Sequence, residues 1–424
     1  MQNLKDEERV EFTREMKKTH TLLFPDMCEI HFRIIKKVFA SFGYKVDLLK
    51  DSGRAIVEEG LKYVHNDTCY PALLIIGQMI YALKSGRYDV NKVALMMPQT
   101  GGGCRASNYI HLLRKALKSA GMGQIPVISV NMSGLEKNSG FKITLPMLRR
   151  ALAAIVYGDL LMLLSNQLRP YEASEGEVDK AVTRWVDTIC DMFDKKHGFS
   201  RREIKMVTEK IVLTFDKIKI EQRSIPKVGI VGEIYVKYCA FANNHLERFL
   251  ASEDCEVMVP GLLGFLLYCV DTRIVDIKLY GGSAIKDKAM NKLYDFLLDF
   301  EQILYNATKD NKRYITPSPY KKLRHMADPL ISRGCKMGEG WLLTAEMVEL
   351  VKLGYPNIVC AQPFGCLPNH IVGKGMIRRI TELWPEANIV PVDYDPGATE
   401  VNQENRIKLM LAVARENSEK AKNL

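Results

Sequence analysis

Among the side chains of this 424-residue sequence, its ten cysteines have the most chemistry to offer. Three of them share one setting. Cys69 lies in NDTCYPA, just ahead of a helical pattern that opens with Pro71. Cys104 lies in GGGCRAS, after the apolar run Leu95–Met97 and ahead of a second helical pattern. Cys366 lies in QPFGCLPNH, again between a strand pattern and a helical one. Each thiol is expected near the amino end of a helix, beyond the carboxyl end of a strand. Open α/β sheets collect their ligands there. A helix amino end also favours the thiolate, the form that binds metal. A glycine-rich turn such as Gly101 to Gly103 usually cradles phosphate. Beside a cysteine, its N–H groups suit an anionic metal–sulfur group instead.

Spacing leaves other readings of these thiols open. They are unrelated residues that tolerate turns, or one is a nucleophile served by His65 or His370. No C-x-x-C pair occurs and no Cys/His spacing matches a zinc finger, so shared ligands must come from distant turns. Cys360, in NIVCAQP, precedes Cys366 in the same strand–turn unit and is either a fourth ligand or a buried strand residue. Cys28, at another strand-to-helix turn, is a lesser candidate. Cys190, Cys239 and Cys269 sit inside apolar patterns and are expected in the core. Cys255 begins a strand, and Cys335 lies in a loop.

Alternating patterns position these turns. HTLLFP, YKVDLL, VALMMPQ and IPVISVN read as strands, separated by helical stretches such as PALLIIGQMIYALKSG. From about Leu145 to Ile220 the periodicity is purely helical. Strand patterns return at KVGIVGEIYV, CEVMVPG, NIVCAQPFG and ANIVPVDYDPG. The expected fold is α/β: two or three Rossmann-like parallel-sheet units with a helical insertion. The expected divisions are 1–144 with Cys69 and Cys104, the helical insertion 145–222, a second unit 223–310, and a third unit 311–424 with Cys366.

Composition narrows the function classes. Apolar residues make up 47% and charged residues 26%, a globular balance that argues against disorder as the main state. The net charge of +10 is spread along the chain, and no basic tract alternates with aromatics, so no nucleic-acid partner is expected. The excess is a solvated surface, or it attracts an acidic protein or an anionic ligand. No apolar run reaches the length of a membrane span, and the charged amino terminus is no signal peptide. A cytoplasmic protein with reduced cysteines is expected.

Several blocks carry a family likeness: NDTCYPALLIIGQ, MPQTGGGCRASNYI, VGEIYVKY with FANNHLERFL, and QPFGCLPNHIVGKG followed by VDYDPGATEVNQENR. Together they resemble the acyl-CoA dehydratase activase-related proteins, which form the carboxy-terminal part of fused activases or stand as separate chains. More distantly they are similar to 2-hydroxyacyl-CoA dehydratase and benzoyl-CoA reductase subunits and to double-cubane cluster proteins. The resemblance implies a cysteine-bound iron–sulfur cluster between α/β domains, of 4Fe–4S type or a double cubane. It implies Cys69, Cys104 and Cys366 as ligands and leaves the fourth open, with Cys360 as its candidate. It implies an ATP-hydrolysing activator of the actin/Hsp70-like fold as electron donor. The reaction would be reduction or dehydration of an activated substrate, with a CoA thioester as the class. The alternative is a non-catalytic electron-transfer or cluster-carrying subunit of a larger complex; a zinc-stabilised binding module is the weaker third reading. The chain has no P-loop and no Asp-Gly phosphate loop of the activator type, so it is expected to receive electrons and not to hydrolyse ATP. Arg105, Asn108, Gln362 and Asn369 flank the thiols and are expected to donate hydrogen bonds toward the cluster. The oligomeric state stays open.

Overall fold

A computed structural model describes residues 9–65, 67–99, 103–130 and 136–422. It is α/β, with two four-stranded sheets whose strands are all parallel. The chain divides into two compact units, Met1–Arg149 and Arg150–Leu424. Among the described residues no helix is long and apolar enough to cross a membrane.

The first unit runs α1 (Arg14–Thr19), β1 (Thr21–Pro25), α2 (Glu29–Ala40), β2 (Lys45–Leu49), α3 (Arg54–Tyr63), α4 (Tyr70–Lys84), β3 (Val93–Pro98), α5 (Tyr109–Ser119) and β4 (Val127–Val130). Its strands lie in the order β2-β1-β3-β4. β1 and β3 are short apolar runs buried along nearly their whole length, as expected of parallel strands covered on both faces. α4 is apolar all round and buried from Tyr70 to Ile80. It crosses α3 at very short range. A Cβ on Gly77 would lie 2.3 Å from the Ile56 carbonyl oxygen, so only glycine lets the two backbones meet.

Next come α6 (Leu145–Leu168), α7 (Glu177–Asp194), α8 (Arg201–Asp216), β5 (Lys227–Gly232), α9 (Ile234–Tyr238), α10 (Leu246–Ser252), β6 (Glu256–Met258), α11 (Leu262–Tyr280), α12 (Ala284–Thr308), α13 (Tyr320–Leu323), α14 (Gly340–Lys352), β7 (Asn357–Pro363), α15 (Ile377–Leu383), β8 (Asn388–Tyr394) and α16 (Glu400–Lys422). The strand order is β6-β5-β7-β8. Strands from 223–310 and from 311–424 thus share one sheet, because β5 pairs with β7 from Val228↔Asn357 to Gly232↔Ala361. The long helical stretch between β6 and β7 is one crossover, which a strand-by-strand reading of sequence does not distinguish from a boundary. The helical insertion belongs with this sheet. Asp159 of α6 accepts from the N–H groups of Leu262 and Leu263 at 2.8 and 2.9 Å. Gln167 exchanges two bonds with the Ile315 backbone at 2.9 and 2.8 Å.

Two elements depart from their sequence patterns. KVGIVGEIYV stops being a strand at Gly232, where Glu233 caps α9 by accepting from the Val236 N–H at 2.9 Å. The stretch after Cys366 does not form one helix. It begins with a π-helical turn, Asn369–Gly373, then a 3₁₀ turn, Lys374–Met376, and only then α15. The Thr344 hydroxyl donates to the Val372 carbonyl at 2.6 Å, occupying a carbonyl of the widened turn.

The α3–α4 crossing gives a direct test. Gly77→Val should lower the free energy of urea unfolding by about 2–3 kcal/mol, through overpacking against Ile56. An unchanged midpoint would remove the crossing as a determinant of the first unit.

Candidate functional site

Each sheet repeats one topology. Its first strand lies between its second and third, so the chain direction reverses across the sheet between the first and third strands. Ligands of open α/β sheets bind outside the carboxyl ends of those two strands. In the first unit those ends lead to Cys28 and Cys104. In the second they lead to Glu233 and Cys366.

Cys28, Cys69 and Cys104 are the residues immediately before α2, α4 and the 3₁₀ turn Arg105–Asn108, and none accepts a capping bond. α4 runs back toward the start of β3, so its amino end and Cys69 share the carboxyl edge with Cys104. The two turns are tied together. The Cys69 sulfur lies 2.5 Å from the Tyr109 hydroxyl, and Tyr109 opens the helix that follows Cys104. Arg105 donates from Nη1 to the Asp67 carbonyl at 3.3 Å. Cys69 is buried, Cys104 half-buried, and Arg105 and Asn108 are exposed. Gly101 and Gly102, expected as cluster-facing donors, lie outside the described residues.

The histidines do not serve the thiols the sequence pairs them with. His65 is exposed, and its Nδ1 accepts from the Asp67 N–H at 3.2 Å. His370 reaches the Cys366 carbonyl, 2.8 Å from Nδ1, and not its sulfur. The close thiol–imidazole pair is Cys28 with His31, Sγ to Nδ1 2.9 Å, both buried. Its sequence signal was the three-residue spacing at a helix start, which puts both side chains on one face.

Cys366 is buried although its neighbours Phe364 and Leu367 are 47% and 68% exposed. These two give its turn an apolar rim. Cys360 differs in kind. It lies inside β7, opposite Val231 and Pro391, with no exposed surface. Burial pushes its thiol up to about 12, so it stays protonated at neutral pH in the manner of a core thiol. Gln362 and Asn369 are fully buried, and each gives an amide N–H to a carboxylate. Gln362 donates to Asp393 at 2.5 Å and Asn369 to Glu339 at 3.3 Å. Among the described residues their carbonyl oxygens have no hydrogen-bond partner. Among the described residues of either unit, no three His, Cys, Asp or Glu side chains gather into a metal-holding group.

The remaining cysteines divide differently from their patterns. Cys239 is buried as expected, Cys190 is half-buried, and Cys269 is exposed on α11. Cys269 is a correction: α11 is apolar on nearly every side, so its periodicity does not reveal which face the fold covers. Cys255 is fully buried, which raises its thiol to about 12, and Cys335 is exposed.

Sequence reasoning missed a network of buried carboxyls behind the second edge. Gly232 has φ 148°, and a Cβ there would lie 2.0 Å from the Ala361 carbonyl oxygen, so the turn into Glu233 requires glycine. Glu339 accepts from the Ile234 N–H at 2.9 Å, on the turn that Glu233 caps. Lys237 lies 3.3 Å from both oxygens of Glu346, and both residues are buried. Burial, and then the charge of Glu339, push the Glu233 carboxyl up to about 8. Burial does the same to Glu349, to about 8, and raises Glu339 and Glu346. The visible signal was the glycine–glutamate pair ending a strand pattern in VGEIYVKY.

A pH dependence of stability follows. Glu349 keeps its proton in the folded state up to about pH 8, while an ordinary glutamate releases it near 4.5. Between those values the folded chain holds the extra proton, so stability falls as pH rises, by up to about 1.4 kcal/mol per pH unit. Glu349→Gln should flatten part of that fall and raise the melting temperature at pH 8 relative to wild type. An identical pH profile in the two proteins would show that Glu349 titrates normally.

Comparison with known proteins adds no family: no family model matches the chain, and no curated protein does.

Proposed function

We propose that the chain is an iron–sulfur redox protein with Cys69, Cys104 and Cys366 as ligands, accepting low-potential electrons from an ATP-hydrolysing activator. One observation supports this above the others. Cys104 and Cys366 follow the third strand of their own sheets, the same place in two equivalent topologies. Cys69 lies on the edge that Cys104 occupies and touches the helix that Cys104 leads into.

The donor set fits the group. Thiolate is the ligand such clusters prefer, and Cys69 and Cys104 stand at the amino ends of helical turns that favour it. Bound there, a cluster supplies one-electron reduction of an activated substrate, with a CoA thioester as the proposed class. The chain's own residues do the rest. Tyr109 is placed to donate its hydroxyl proton to the Cys69 sulfur, which stabilises negative charge on it. Arg105 holds the Cys69 and Cys104 turns together, and Phe364 and Leu367 keep water from Cys366. A cytoplasmic location, where thiols stay reduced, belongs to the same reading.

Iron and acid-labile sulfide analysis of anaerobically purified protein tests the proposal. Wild type should carry both in near-equal amounts and show a paramagnetic signal on reduction. Cys104→Ser and Cys366→Ser should each lose at least about half of the iron with unchanged circular dichroism, while Cys360→Ala keeps it. Wild type without iron, or full retention by both serine variants, would refute the ligand set.

A further inference from the structure

The edge of the first sheet opposite the thiols carries a second feature. A groove of about 550 Å³ lies between α1 and the segment 139–147. Arg14, Lys17, Lys18 and Lys142 line it, with Phe42 and Tyr44, and no carboxylate does. Lys18 lies just before β1 and Tyr44 just before β2, so the groove stands at the amino ends of those strands. Its volume is in the range of small-molecule sites.

The cations are crowded together. Arg14, Lys17 and Lys18 stand three and four residues apart on α1, where like charges repel. α1 buries none of its residues, and only Glu15 on the same helix and the place of Lys17 and Lys18 in its last turn offset part of that repulsion. Among the described residues, none of the four cations makes an ion pair with a carboxylate. Glu11, beside the groove, accepts from the Ser139 N–H at 2.8 Å. Tyr44 organises two of the four cations. Lys17 Nζ lies 4.2 Å from the centre of its ring, and its hydroxyl accepts from the Lys142 N–H at 3.2 Å. The ring is 5% exposed, which fixes both contacts against a rigid support. Gly43 adds no side chain to the floor, and Phe42 and Met147 give one wall an apolar character.

We propose that this groove binds an organic phosphate with at least two phosphoryl groups. Several unpaired cations around one concavity stabilise a polyanion far more than a single charge, because each adds its own Coulomb attraction. The apolar wall receives the organic part. The site is separate from the thiol edge and does not depend on whether the chain holds a cluster.

Isothermal titration at fixed ionic strength, with inorganic phosphate, pyrophosphate and adenosine diphosphate as probes, decides the matter. One pyrophosphate or diphosphate per chain should bind, at least about tenfold more tightly than phosphate. Lys17→Gln combined with Lys142→Gln should weaken binding at least about tenfold, the loss expected for charge-assisted hydrogen bonds. Tyr44→Phe, which keeps the ring but frees the Lys142 backbone, should weaken it less. Lys115→Gln, on the exposed side of α5, should leave it unchanged. The three lysines sit at or near the surface while Tyr44 is buried, and circular dichroism checks that each variant folds. Three results would overturn the proposal: no saturable binding, equal weakening by Lys115→Gln, or binding of an acidic peptide but of none of the phosphates.

Discussion

Parallel pairing of the first strand with the third, in each sheet, is the constraint on which the rest of this structure depends. Crossover connections between parallel strands are right-handed, so reversing direction across the sheet sends successive helices to opposite faces. The turns leaving the first and third strands therefore part, and a crevice opens between them. In the first unit that crevice receives Cys28 and Cys104, with Cys69 added from the start of α4. In the second it receives Glu233 and Cys366. Two stretches of sequence with no visible repeat thus bring a cysteine to the same topological position.

The two edges are built from different chemistry. The first joins thiols to a tyrosine hydroxyl and an imidazole through short contacts, and a guanidinium ties the backbone ahead of Cys69 to the Cys104 turn. The second places its cysteine in front of buried carboxyls. One of these, Glu346, has a buried ammonium, that of Lys237, against it. A carboxylate without a cation is expensive away from water, so protons take the place of missing counter-charges. This explains why the carboxyls behind β5 and β7 are raised, as are the buried Asp271 and the half-buried Glu301. Asn369 belongs to the same buried region, its amide held by Glu339.

The charge of the whole chain divides in a similar way. Most cations are solvated or paired on the surface. The cations of the groove beside α1 make no ion pair among the described residues, and Tyr44 touches the Lys17 ammonium and the Lys142 backbone. A diffuse net charge of +10 says nothing about such a site, because local arrangement and not the total sets the field that a ligand meets.

Much of the fold was legible in the sequence. Short apolar runs bounded by glycine and proline marked the strands, and helical periodicity marked the insertion, because burial on both faces of a parallel sheet leaves that pattern. The turns carrying Cys69, Cys104 and Cys366 were legible for the same reason: each breaks one period and begins another. Strand order was not. Whether β7 joins β5 or starts a new sheet depends on pairing across more than a hundred residues, and local pattern is silent on that. Nor was the state of individual side chains. Cys269 and Cys239 sit in equally apolar stretches, yet one is exposed and the other buried, because a helix apolar on nearly every side does not encode which side the fold covers. Cys360 looked like a possible partner of Cys366, and only the register of β7 shows it enclosed between neighbouring strands. The Glu233–Glu339 turn and the Tyr44-organised groove are likewise products of tertiary structure, since each joins residues far apart in sequence whose charges matter only once they are neighbours.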